Sequence, residues 1–87
     1  MHERALLADV MREVEAVAAR EGARRVVRLE VRLGALSHFT PEHFREHFDD
    51  VARGTVAEGA VVDAVVDGDT TSEHAQGVIL ESVEVEA

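Results

Sequence analysis

The sequence predicts an α+β domain in which two helices pack on one face of a small three-stranded mixed β-sheet, in the order helix, strand, helix, strand, strand. Three observations carry that expectation. Apolar residues recur at three- and four-residue intervals over the first twenty positions, the period switches to alternation from Val26, and a second helical stripe then gives way to two β-branched runs. With 87 residues the chain is one small domain, able to bury about 60 to 65% of its unfolded surface, so the core must be compact and well patterned.

In the first helix Leu7, Val10, Met11, Val14, Val17 and Ala18 form one apolar stripe, while Arg4, Asp9, Arg12, Glu13, Glu15 and Arg20 face water. Gly22 supplies the left-handed position that ends it. From Val26 onward Val27, Leu29, Val31 and Leu33 point one way and Arg28, Glu30 and Arg32 the other, the pattern of a strand with one buried face. Gly34 ends the alternation, and Leu36-Ser37-His38-Phe39 reads as a connector. Thr40-Pro41-Glu42 is a helix start, with Thr as N-cap, Pro in the first helical position and an acid in the first turn. Phe44, Phe48 and Val51 form the apolar stripe of this second helix, and Gly54 fits its left-handed end.

Beside that stripe His43, His47 and Asp50 stand at i, i+4 and i+7, a spacing that brings side chains to one helix face. They read as a solvated shoulder to the two-Phe core, since histidine pairs at this spacing arise in helices without any metal. Thr55 to Gly59 is a polar turn, and Ala60 to Asp67 a strand whose core face is Ala60, Val62, Ala64 and Val66. Asp67 to Gly77 reads as a polar surface loop. Val78 to Glu86 is the last strand, and the change of phase between Val78/Leu80 and Val83/Val85 predicts a bulge near Glu81 or Ser82. The first two strands, joined through a helix, are expected to run parallel, and the third, returning through a loop, antiparallel to the second. The sheet face bearing Arg28, Glu30 and Arg32 is expected to be solvated.

Composition narrows the function. There is no cysteine, so disulfides, thiolate metal sites and cysteine nucleophiles are excluded together, and any metal must be held by nitrogen and oxygen. Residues 1–33 carry seven Arg against six acids, and residues 34–87 carry two Arg against twelve acids; the sum is a net charge of −9. That charge repels phosphate backbones, and three Phe are the whole aromatic complement, so no nucleic-acid partner is expected. No apolar run is long enough for a membrane span or a signal-peptide core, and the chain reads as cytoplasmic. No nucleophile with a base, no phosphate-binding glycine loop and no spaced carboxylate pair stands out, so an enzyme is not expected.

The first three residues, Met1-His2-Glu3, carry chemistry of their own. A free amine followed by histidine is a chelator: amine or amide nitrogens and the His2 imidazole Nδ1 close five- and six-membered rings around one divalent ion. Flat nitrogen-rich coordination suits Ni(II) or Cu(II) better than Zn(II). The alternative is a start codon followed by a polar residue. The three protein nitrogens are either the Met1 amine with the His2 amide and Nδ1, or the His2 and Glu3 amides with Nδ1. The fourth position falls to His74, His38 or the Glu3 carboxylate.

Met1-His2-Glu3 ahead of the first helix, Val31-Arg32-Leu33-Gly34-Ala35-Leu36-Ser37, Pro41-Glu42, Gly54-Thr55-Val56-Ala57-Glu58-Gly59-Ala60 and Val83-Glu84-Val85-Glu86 follow one another in the chain. Together, in this order, they resemble the HypA family of nickel-insertion accessory proteins of hydrogenase and urease maturation. The resemblance covers residues 1–66 and resumes at about Val78. It implies a nickel site built on His2 with the backbone nitrogens of His2 and Glu3. It also implies two partners, a nickel-enzyme precursor such as a hydrogenase large subunit and a nickel-handling GTPase of the HypB type. Two departures stand out. The family inserts a four-cysteine zinc domain where this chain has only residues 67–77, so the chain reads as a single HypA-like nickel-binding domain over residues 1–87, with no structural zinc expected. Family members also tend to carry aromatic and small residues where this chain has Glu46 and His47. Two functions follow: a nickel metallochaperone, or a HypA-like interaction module that no longer carries metal.

Overall fold

A computed structural model describes residues 2–87, with side chains from Glu3 onward. The elements are α1 (His2–Arg20), β1 (Arg25–Leu33), α2 (Pro41–Ala52), β2 (Val61–Val66) and β3 (Val78–Glu86). They form the expected α+β arrangement, two helices and a three-stranded mixed sheet of order β2-β1-β3. β1 pairs with β2 in parallel and with β3 antiparallel, so β3 has the direction expected, but its partner is the central strand β1.

The helix stripes do what their spacing requires. Leu7, Val10, Met11, Val14 and Ala18 of α1 are buried, and α2 contributes Phe44, Phe48 and Ala52. Phe44 and Phe48 are fully enclosed with nearly parallel rings, their centroids 6.0 Å apart, and burial of each aromatic is worth about 1.5–3 kcal/mol. Val51, expected in that stripe, is 43% exposed. The buried rings at 44 and 48 set the roll of the helix, and Ala52, one turn further along the same line, takes the place assigned to Val51. Gly22 and Gly54 have φ of 62° and 78°, the left-handed region expected just beyond each helix.

β1 departs from simple alternation at its start. Val26 lies opposite Val85 and Arg28 opposite Glu84, so Val27 is the extra residue of a bulge. Val26 is thereby buried and Val27 only half-buried, the reverse of the expected phase, while Leu29, Val31 and Leu33 keep their buried face. The second irregularity falls where the change of phase predicts it: Glu30 pairs with Ser82 and Val31 with Leu80, leaving Glu81 over. On β2 the core face runs through Ala60, Val62 and half-buried Ala64, but Val66 at the strand end is 47% exposed.

Two segments read as polar surface also reach the core. Ala57, in the turn between α2 and β2, is fully buried, and Ala75 of the 67–77 loop is 4% exposed. The loop is drawn in by hydrogen bonds from the Gly34 amide to the Gly77 carbonyl (2.8 Å) and from the Leu36 amide to the Ala75 carbonyl (2.7 Å). Its outer part is held by Asp69, whose Oδ1 accepts from the Thr71 amide (2.9 Å) and hydroxyl (2.7 Å). Those bonds hold the Asp69 carboxyl below its ordinary pKa.

The sheet face without helices is wet and cross-linked. Arg28 pairs with Asp63 across to β2, Arg32 Nε donates to Glu81 of β3 at 2.9 Å, and Ser82 Oγ donates to Glu30 at 2.6 Å. The hydrogen bond to Glu81 and its charge raise the Arg32 pKa further above its ordinary value. No described helix is long and apolar enough to cross a membrane.

Candidate metal centre

The start of α2 is fixed by its own sequence. Thr40 adopts an extended conformation and its Oγ1 accepts from the His43 amide at 3.1 Å, with Pro41 opening the helix. Just before the cap, Phe39 is buried and packs edge-on against both Phe44 (5.3 Å between centroids) and His43 (5.7 Å). His43 and His47 each precede a buried Phe by one residue. The roll that hides Phe44 and Phe48 therefore turns both histidines to the flank of α2 that meets the first turn of α1.

There the two helices touch through polar groups. His43 Nε2 lies 3.0 Å from Glu3 Oε1, and the His43 and His47 rings stack with centroids 4.5 Å apart and 14° between planes. Among the described residues, Glu3, His43 and His47 each offer a ligand atom, and these atoms lie within 4.8 Å of one another. The His43 side chain is 41% exposed and that of Glu3 37%, so the group is at the surface with one side sheltered. It borders a recess lined by Glu3, Arg4, Leu7, His47, Asp50 and Val51.

The solvated shoulder expected at His43, His47 and Asp50 is thus only part of the arrangement. Asp50 is exposed and pairs with Arg53 at 3.3 Å, whereas His43 is engaged by a carboxylate forty residues earlier in the chain. Helical spacing brings His43 and His47 together, but the third partner comes from another helix and no local pattern announces it.

The expected nickel ligands are distributed as follows. The Met1 amine and the His2 imidazole lie outside the described residues. The backbone enters α1 at His2, so the His2 and Glu3 amides belong to the first helical turn, where N–H groups have no intrahelical acceptor. Of the residues considered for the fourth position, the Glu3 carboxylate joins His43 and His47. His38 is exposed in the connector at φ 69°, and His74 is exposed beside Glu73 (3.3 Å). Neither belongs to the grouped donors.

The fold and this helix-start geometry describe a small two-layer α+β domain that gathers nitrogen and oxygen donors where the first turn of α1 meets a flank of α2. The family model for hydrogenase/urease nickel incorporation, metallochaperone, hypA, matches residues 1–84, and the chain belongs to the HypA family. The hydrogenase maturation factor HypA of Methylocella silvestris is 46% identical over 63 residues, covering 72% of this chain and 56% of that protein. The factor of the same name from Chlorobium limicola is 41% identical over 63 residues, covering 72% of this chain and 54% of its own length. The chain therefore spans about half the length of the curated relatives it matches. In structure it is similar to the solution structure of the Ni metallochaperone HypA from Helicobacter pylori, with a TM-score of 0.80 at 18% identity, covering 100% of this chain and 99% of that one. The chain has no cysteine and joins β2 to β3 through residues 67–77 alone.

Proposed function

We propose that this protein is a nickel metallochaperone, a non-enzymatic carrier that takes Ni(II) as cargo at Met1-His2-Glu3 and assists its insertion into a NiFe hydrogenase or another nickel enzyme. The observation that carries the reading is the family match over residues 1–84, which begins on those three residues. The donor chemistry agrees with it. Amides in the first turn of α1 are free of intrahelical bonds, and a deprotonated amide there sits at the positive end of the helix dipole. Two nitrogens of the chain start in one plane with a single imidazole fit Ni(II). His74, His38 or the Glu3 carboxylate completes the square.

The partners of this reading are the precursor of the nickel enzyme, such as a hydrogenase large subunit, and a nickel-handling GTPase of the HypB type, all acting in the cytoplasm. No structural zinc takes part. A second reading, an interaction module that keeps the fold without the metal, is favoured by one observation: residues 67–77 join β2 to β3 without any cysteine. Complementation separates the two. In a host whose own gene for this protein is deleted, the wild-type chain restores nickel-enzyme activity at limiting nickel and His2→Ala does not. Equal restoration by both, at matched protein levels, would favour the module.

A further inference from the structure

We propose that Glu3, His43 and His47 form a second cation site, made of side chains alone, that takes a borderline divalent ion such as Zn(II) or Co(II) independently of the amino-terminal nickel site. The spacing of the donors carries the argument. Two ligands at about 2.0–2.2 Å from one ion stand roughly 2.8–3.6 Å from each other at angles between square and tetrahedral. His43 Nε2 and Glu3 Oε1 already stand at 3.0 Å, and no pair in the group exceeds 4.8 Å. A change in the His47 side-chain torsions within its present stack closes the remaining gap.

An ordinary ion pair between helices would account for Glu3 and His43 but gives His47 nothing to do. The His47 ring makes no hydrogen bond to a protein group among the described residues, yet it lies nearly parallel to the His43 ring one turn away. Two imidazoles at i and i+4 present nitrogen donors to one point, and a carboxylate from the facing helix adds a hard anionic donor. That set holds a borderline ion and leaves coordination positions open toward the recess, where Arg4 and Asp50 contribute opposite charges. Phe39, edge-on to His43, and the Thr40 cap keep the first imidazole in place. The site differs in kind from the amino-terminal one: it is made of two imidazoles and the Glu3 carboxylate with no backbone nitrogen, and with that carboxylate engaged here the fourth nickel position falls to His74 or His38.

The test uses the untagged full chain. His2→Ala, titrated with Zn(II) by calorimetry and with Co(II) by visible absorption, is expected to take up one equivalent with the spectrum of imidazole and carboxylate ligation. Adding His43→Ala and His47→Ala is expected to lower that affinity at least tenfold, and adding Glu3→Gln alone to lower it while sparing the backbone amide. Circular dichroism checks that each variant keeps its fold, which is expected because these side chains are partly exposed and lie outside the core. Uptake of neither ion by His2→Ala, or an affinity unchanged by loss of both histidines, would overturn the proposal. The nickel reading fails separately: in the variant with both histidines replaced but His2 retained, planar nickel absorption persists if that reading holds.

Discussion

Gly34 shows how much one residue constrains the 67–77 loop. A Cβ built there would overlap the backbone of His74 and Ala75, which closes over the end of β1. Gly34→Ala is therefore expected to destabilise the protein by about 1–3 kcal/mol, the cost of forcing packed backbone apart. Gly68→Ala, where an added Cβ meets nothing, should change stability by less than about 0.5 kcal/mol, and denaturant unfolding of the two variants makes the comparison. Asp69 gives a prediction in pH. Because Thr71 stabilises its charged form, the folded-state pKa lies below the unfolded one. The contribution is present above the unfolded pKa and fades as pH falls through the folded value. An NMR titration should show the Thr71 amide resonance moving together with the Asp69 carboxyl, at a pH below the ordinary aspartate range. At this scale the sequence is legible where a residue's constraint is local: Thr40, Gly22 and Gly54 declare their roles by type and position. It is silent on the backbone that closes over Gly34 and on the histidines that meet the Glu3 carboxylate, since both depend on which distant atom arrives beside them.

At the scale of elements, α2 is the device that positions the candidate site. Removing its cap, as in Thr40→Ala, is expected to cost about 1 kcal/mol by denaturant unfolding, and Thr40→Ser to recover most of it. The strands show both the reach and the limit of pattern reading. The bulge at Glu81 was visible because apolar residues on β3 change phase, whereas the bulge at Val27 was not, because Val26 and Val27 are both apolar and either could face the core. The same ambiguity explains Val51 and Val66. Hydrophobic type alone does not say which of several valines the packing selects, and the larger Phe44 and Phe48 decide it for α2.

For the whole molecule, the core is continuous from α1 through β1 to α2, and its apolar faces close on one another. In protein purified without added metal, thermal unfolding is accordingly expected to be cooperative with a midpoint unchanged by EDTA, and a large fall on chelation would reveal a structural ion. The architecture follows from periodicity and the one strong helix start, because helix and sheet spacing are short-range properties. The donor group between α1 and α2 follows from topology, which brings the first turn of one helix against a flank of the other. Nickel binding at the amino terminus should strengthen as pH rises, since amides and imidazole lose protons on coordination. The measurement that bears most directly on the central claim is a Ni(II) titration of the untagged protein beside His2→Ala, followed by absorption in the region of planar nickel. Wild type is expected to develop that band with one equivalent, releasing protons as it does, and His2→Ala to lose it. The same band at the same affinity in His2→Ala would contradict a carrier site at Met1-His2-Glu3.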